Sequence, residues 1–151
     1  MPPKSCYQRA VDLLSRRAHF VAELQAKLHQ RGFETDEIQE AIARLQSHGY
    51  LDDRDTTRLW VEQQLARKPQ GARKLFSGLL RKGVDSDLAH ETITEILADN
   101  EATLAQEAAE RWSARTPNGN AAGLARHLDR MGFRTSTAVS VVQHMRERLQ
   151  S

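Results

Sequence analysis

Apolar residues recur along this chain at helical spacing, and one arrangement of them occurs three times around a glycine. Leu24, Leu28, Gly32 and Phe33 are matched by Leu75, Leu79, Gly83 and Val84, and again by Leu124, Leu128, Gly132 and Phe133. Leucines four apart share one helical face, so each copy predicts an amphipathic helix with a stripe to bury. Glycine predicts the helix end, because it reaches the left-handed conformation without steric cost. Arg31, Lys82 and Arg130, just before the glycines, suit the negative end of the helix dipole. Thr35, Ser86 and Thr135 follow, and Thr35 and Ser86 are expected to N-cap a second helix. That helix carries Ile38, Ile42 and Leu45 in the first copy, Ala89, Ile93 and Ile96 in the second, and Ala138, Val142 and Met145 in the third. A further helix precedes each pair, near residues 5–18, 53–67 and 101–115.

A period of about 50 residues built from short helices marks a tandem array, and such arrays present surface to a partner more often than they enclose a catalytic pocket. The expected organisation is one chain, 1–151, with modules near 5–50, 51–99 and 100–149. Aromatic residues make up only 5% of the sequence, and β-branched runs bounded by turn signals are missing. The fold class is therefore all-α, three tandem three-helix modules. Cys6 is the single cysteine, which excludes an internal disulfide and fits a reducing compartment. No apolar run is long enough to span a membrane and Met-Pro-Pro-Lys is no signal peptide, so a cytoplasmic protein without membrane association is expected.

Charge changes the picture through its distribution. The net charge is only +2, but between Gln63 and Val84 stand Arg67, Lys68, Arg73, Lys74, Arg81 and Lys82 with no acid. Residues 85–110 then hold acids and neither Lys nor Arg, and from Arg111 onward arginine dominates, Arg126, Arg130 and Arg134 among them. Blocks of this kind make strong local fields even when the sum is small. Arg73, Lys74, Arg81 and Lys82 flank one amphipathic helix with no acid close in sequence, which points to a polyanion or an acidic protein surface. Read as a solvated binding face, Arg73 and Lys74 should tolerate charge reversal at unchanged melting temperature. The acidic stretch is expected to face basic protein loops, favouring a protein partner over bare DNA.

Catalytic chemistry finds no foothold. The chain lacks both the Gly-x-x-x-x-Gly-Lys-Ser/Thr and the Gly-x-Gly-x-x-Gly phosphate cradles. Its six histidines are scattered, with no pair at i, i+4 and no cysteine beside them, so no metal and no cofactor are expected. Asp52-Asp53 follows Gly49-Tyr50-Leu51 at a helix entrance, where capping explains it better than acid–base work. Cys6 has no nearby base in sequence and is read as a small helix residue. Trp60 and Trp112 fall on apolar helical faces and are read as core rather than as platforms for bases.

Leu13-Leu14-Ser15-Arg16-Arg17, Glu23-Leu24, Arg31-Gly32-Phe33, Gly49-Tyr50-Leu51-Asp52-Asp53, Gly71-x-Arg73 and Leu79-x-x-Lys82-Gly83-Val84-Asp85 together resemble the RecX family, small bacterial regulators of the RecA recombinase. The resemblance covers roughly residues 8–97, and the third module only through its repeat pattern. Phe20 departs from it, standing where a serine commonly caps the helix before Glu23; Thr56 replaces an aromatic, and the loop is Pro69-Gln70-Gly71-Ala72. The resemblance implies an elongated, curved molecule that binds the RecA filament on DNA and inhibits strand exchange and the coprotease role. It implies no enzymatic activity. The partner or DNA contacts are then expected at Arg67, Lys68, Arg73, Lys74, Arg81, Lys82, Arg126, Arg130 and Arg134, with weak non-specific DNA binding allowed. The competing reading is a stand-alone DNA-binding protein, since three-helix modules also resemble helix-turn-helix units.

Overall fold

The computed structural model describes residues 2–146. Among them the chain forms nine helices and no strand: α1 Cys6–Arg16, α2 Val21–Gln30, α3 Thr35–Ser47, α4 Asp53–Arg67, α5 Ala72–Arg81, α6 Ser86–Leu97, α7 Glu101–Arg115, α8 Ala121–Arg130 and α9 Thr135–Met145. The far end of the third expected module, residues 147–149, lies outside the described residues. The main helix pairs fall within α1–α3, α4–α6 and α7–α9.

Helices α2, α5 and α8 end as their sequences require. Gly32, Gly83 and Gly132 have φ of 90°, 81° and 87°. The next residue then donates back five positions: Phe33 N–H to Leu28 O at 3.3 Å, Val84 to Leu79 at 3.1 Å, Phe133 to Leu128 at 3.2 Å. This closure satisfies carbonyls that the helix would otherwise leave open. The following N-cap sits one residue earlier than the hydroxyl pattern suggests. Thr35, Ser86 and Thr135 are the first helical residues, and Asp85 is the cap, its carboxylate accepting from Leu88 N–H at 3.1 Å. A carboxylate at that position adds its charge to the positive helix end, which a hydroxyl cannot do.

Each helix group has its own core. Leu24, Leu28, Leu75, Leu79, Leu124 and Leu128 are all completely buried, two to a core. Cys6 belongs to the first core, where burial pushes its thiol pKa up. Trp112 is buried and Trp60 half-buried, each against glycine: Trp60 over Gly78, Trp112 beside Gly119 and Gly123. The accessible surface is 9400 Å² for a 17.1 kDa chain. A compact protein of that mass exposes about 7,800 Å², so the excess suits cores set side by side.

The first junction depends on an unusual cap. Phe20 stands at the N-cap of α2 and has no oxygen to offer, yet its ring is buried in the second core with Val61, Leu75 and Leu79. Asp53, the first residue of α4, supplies the missing acceptor: its carboxylate takes the Val21 N–H at 2.8 Å. Asp52 caps α4 itself by accepting from Arg54 N–H at 2.9 Å. Both aspartates are therefore caps, one local and one for a helix 32 residues away. Burial, with Asp52 nearby, raises the Asp53 pKa. On the other side of α2, Glu23 accepts from Phe20 N–H and grips Arg17, at 3.2 and 2.5 Å. Burial alone would push the Glu23 carboxyl up, but the Arg17 guanidinium and the Phe20 N–H hold it at about 2.

Leu28→Ala or Leu79→Ala is expected to cost about 2–5 kcal/mol through a core cavity, read as a lower denaturation midpoint; a loss below about 0.5 kcal/mol would place these leucines outside a packed core. Glu23 is ionised more readily when folded than when unfolded. Its contribution is thus complete above the ordinary carboxylate range and disappears as pH falls toward about 2. Because Arg17 is half exposed, the effect is screened. Glu23→Gln should lower stability at pH 7 by about 1–2 kcal/mol, and parent and variant should converge as pH falls below 4; a gap that persists into acid would assign the loss to packing.

Candidate nucleic-acid and partner interface

The second junction is where α8 ends against the beginning of α5. Gly71 N–H donates to Met131 O at 2.7 Å and Arg73 N–H to Gly132 O at 3.1 Å. The positive N-terminal end of one helix thereby meets the negative C-terminal turn of another. The approach leaves no room for side chains: a β-carbon on Gly71 would strike the Gly132 carbonyl, and one on Gly132 the Lys74 backbone. Buried Gln70 braces the preceding loop by donating to Gln64 O at 3.2 Å and Lys68 O at 3.3 Å.

This junction divides the expected binding residues into groups. Arg73, Lys74, Arg81 and Arg130 converge, with Ser77 and Asp129, on an open groove of about 420 Å³. Arg67 and Lys68, at the end of α4, face a separate cleft of about 230 Å³ with Arg111 and Arg115 of α7 and His127 of α8. Lys82 lies at the opposite end of α5, beside Arg17, Glu23 and Trp60 at the first junction. Arg126 is exposed on α8 and lines none of these hollows. Arg134 precedes α9 and pairs with Glu101 at 3.5 Å.

Two expectations require correction. Arg73 is neutralised locally after all: its guanidinium meets the Asp129 carboxylate at 2.8 Å and also donates to Asp129 O at 2.8 Å and Phe133 O at 3.3 Å. It therefore holds the end of α8 in addition to facing the groove, and charge reversal there cannot leave the fold untouched. The acidic stretch is likewise largely satisfied from within. Glu91 and Glu95 pair with Arg54 and Arg58 of α4, Glu107 with Arg111, and Glu101 with Arg134. Only a tertiary contact between α4 and α6 could reveal the first two pairs, because they join residues 37 positions apart.

The basic side chains of the 230 Å³ cleft have no such relief. Among the described residues no acid lines it, and only Arg111 of its cations has an ion pair. Burial, then Arg115, Arg130, Lys68 and Lys74, lower the His127 pKa. Burial and Lys68 do the same to the Lys74 ammonium. These cations repel one another at a concave surface, an arrangement suited to an anion. Sequence reasoning missed Arg111, Arg115 and His127. The i, i+4 spacing of the two arginines on one helical face was a signal, but nothing in the sequence says that this face turns toward the α4–α5 loop.

The first helix group matches a family model described as RecX, first three-helix domain, over residues 6–45. The regulatory protein RecX of Mycobacterium sp. (strain JLS) is 38% identical over 99 residues, covering 66% of this chain and 52% of that protein. The regulatory protein RecX of Chlorobaculum tepidum is 35% identical over 89 residues, covering 59% and 56%. The chain thus spans about half the length of such relatives. A crystal structure of RecX from Lactobacillus salivarius superposes with a TM-score of 0.84 over 93% of this chain and 94% of that one, at 19% identity. A second RecX crystal structure gives 0.82 over 91% and 70%, at 18% identity. The all-α helical repeat is accordingly the shared fold.

Arg73→Glu should place a carboxylate against Asp129 and strip two carbonyls of their donor. A loss of about 1–2 kcal/mol is expected, with amide exchange accelerating first at the end of α8. An unchanged melting temperature and unchanged exchange would restore Arg73 to the status of a solvated side chain.

Proposed function

The chain belongs to the RecX family, and from that premise we propose that it regulates the RecA recombinase, mainly as an inhibitor, by binding the RecA filament on DNA. The relatives bear the name of regulatory proteins rather than of enzymes. One observation carries the reading: basic side chains from α4, α5, α7 and α8 gather at the second junction, where Asp129 is the single acid among the described residues that line the two hollows. A filament of protein on nucleic acid offers a long, repeating, phosphate-bearing surface, and a row of helix groups can follow it. On this reading residues 5–50, 51–99 and 100–149 act as modules, Arg67, Lys68, Arg81 and Arg130 face the filament, and Arg73 and Lys74 join them from the wall of the groove. Lys82, at the first junction, and the exposed Arg126 add contacts on either side. Arg134, already paired with Glu101, contributes least.

The test is RecA-dependent ATP hydrolysis on single-stranded DNA, with and without this protein. Inhibition is expected at protein concentrations well below those of the DNA nucleotides. Charge reversal at Arg81 and Arg130, which have no ion pair among the described residues, should weaken inhibition at unchanged melting temperature. Unaltered hydrolysis over the whole titration with the parent protein would sink the regulatory reading. Tight, sequence-selective binding to naked duplex would instead favour a stand-alone DNA-binding protein.

A further inference from the structure

The cleft formed by Arg67, Lys68, Arg111, Arg115 and His127 has features that a general basic surface lacks. It is concave, about 230 Å³, with Pro69, Ala108 and Met131 as its apolar lining. That is room for a phosphate group together with several waters, each occupying ~30 Å³. Its basic side chains come from three separate elements instead of lying along one helix. The His127 ring is held in place by stacking on Trp112, with centroids 6.3 Å apart and planes 27° from parallel.

We propose that this cleft clamps one backbone phosphate of a nucleic-acid strand, and that His127 takes up a proton from solvent as the phosphate seats. The proposal deepens the reading above, on which it rests for the choice of a nucleic acid as the polyanion. Guanidinium forks match phosphate oxygens in pairs, and two arginines of the cleft, Arg67 and Arg115, have no ion pair among the described residues. The neighbouring groove of Arg73, Lys74, Arg81 and Arg130 adjoins it across Met131, whose sulfur lies 3.9 Å from Lys74 Nζ. Two basic hollows side by side suit a polymer with regularly spaced phosphates. Neither hollow offers the exposed aromatic anchor on which protein partners usually dock.

The proton follows from the same geometry. His127 is surrounded by Arg115 and Arg111 from α7, Lys68 and Arg67 from the end of α4, Lys74 from α5 and Arg130 from its own helix. Burial first, and then these charges, disfavour the protonated ring in the free protein. A phosphate among them reverses the local field, so the imidazolium becomes the favoured form and a further donor. Binding should then strengthen as pH falls.

The full chain, titrated into a labelled single-stranded oligothymidine and followed by anisotropy over a range of salt at pH 6 and pH 8, tests this directly. The parent is expected to bind at least about threefold more tightly at pH 6, within the tenfold per pH unit that one proton allows. Arg67→Ala with Arg115→Ala should reduce the logarithmic salt slope by about 0.7, the share of the one phosphate that the cleft holds. His127→Gln should lose most of the pH dependence while still binding at pH 8. Since that substitution touches Trp112, the His127 ring resonance of the parent gives an independent measure: its titration midpoint should rise when oligothymidine is added. An unchanged salt slope in the double variant, or a midpoint indifferent to oligothymidine, overturns the proposal. An equal midpoint shift from inorganic phosphate at the same phosphate concentration would reduce the cleft to a free-anion site. Loss of RecA association with oligothymidine binding intact would assign it to an acidic protein surface. A parent that binds oligothymidine as expected but leaves RecA hydrolysis unaltered would refute the regulatory reading and not this one.

Discussion

Two hydrogen bonds between helix ends govern the arrangement of this molecule: Gly71 N–H to Met131 O and Arg73 N–H to Gly132 O. A helix closed by a left-handed glycine presents its last carbonyls close to its axis, where a second helix can approach head-on. The second junction exploits this, and its geometry forbids a β-carbon at either glycine. Everything functional at that junction follows. Lys74 and Arg73 are carried to the end of α8, Lys68 and Arg67 are turned toward α7, and the basic hollows open on either side of Met131. At the first junction another left-handed glycine, Gly83, packs close against the Ala22 side chain of α2.

The elements were legible in the sequence because each is governed locally. Leucine spacing, a terminal glycine and the preceding cation are enough to specify α2, α5 and α8, and the burial of Leu24, Leu75 and Leu124 follows from their stripe. Phe20 shows where local reasoning stops. As an N-cap it reads as a lost serine; only in three dimensions does Asp53 replace the missing oxygen and free the position for a ring that enters the next core. A polar signal was exchanged for an apolar one because the cap arrived from elsewhere.

The candidate site divides along the same line. Blocks of like charge are visible in the sequence, so Arg67, Lys68, Arg81 and Arg130 could be nominated from it. Which charges remain available is a tertiary question. Asp129 claims Arg73, Glu101 claims Arg134, and the α4 arginines claim Glu91 and Glu95 from what looked like an acidic face. Conversely, Arg115 and His127 sit in unremarkable sequence and become prominent only because α7 and α8 end beside the α4–α5 loop.

The Asp53 cap also orders events in time. Synthesis proceeds from the N-terminus at about 5–20 residues per second, and α2 emerges well before residue 53. Until that carboxylate arrives, the Val21 amide has only water as an acceptor, and Phe20 has no core to enter because Val61, Leu75 and Leu79 emerge after it. The nascent first helix group therefore leaves the ribosome with its adhesive ring exposed. Its final docking waits for chain that has still to emerge.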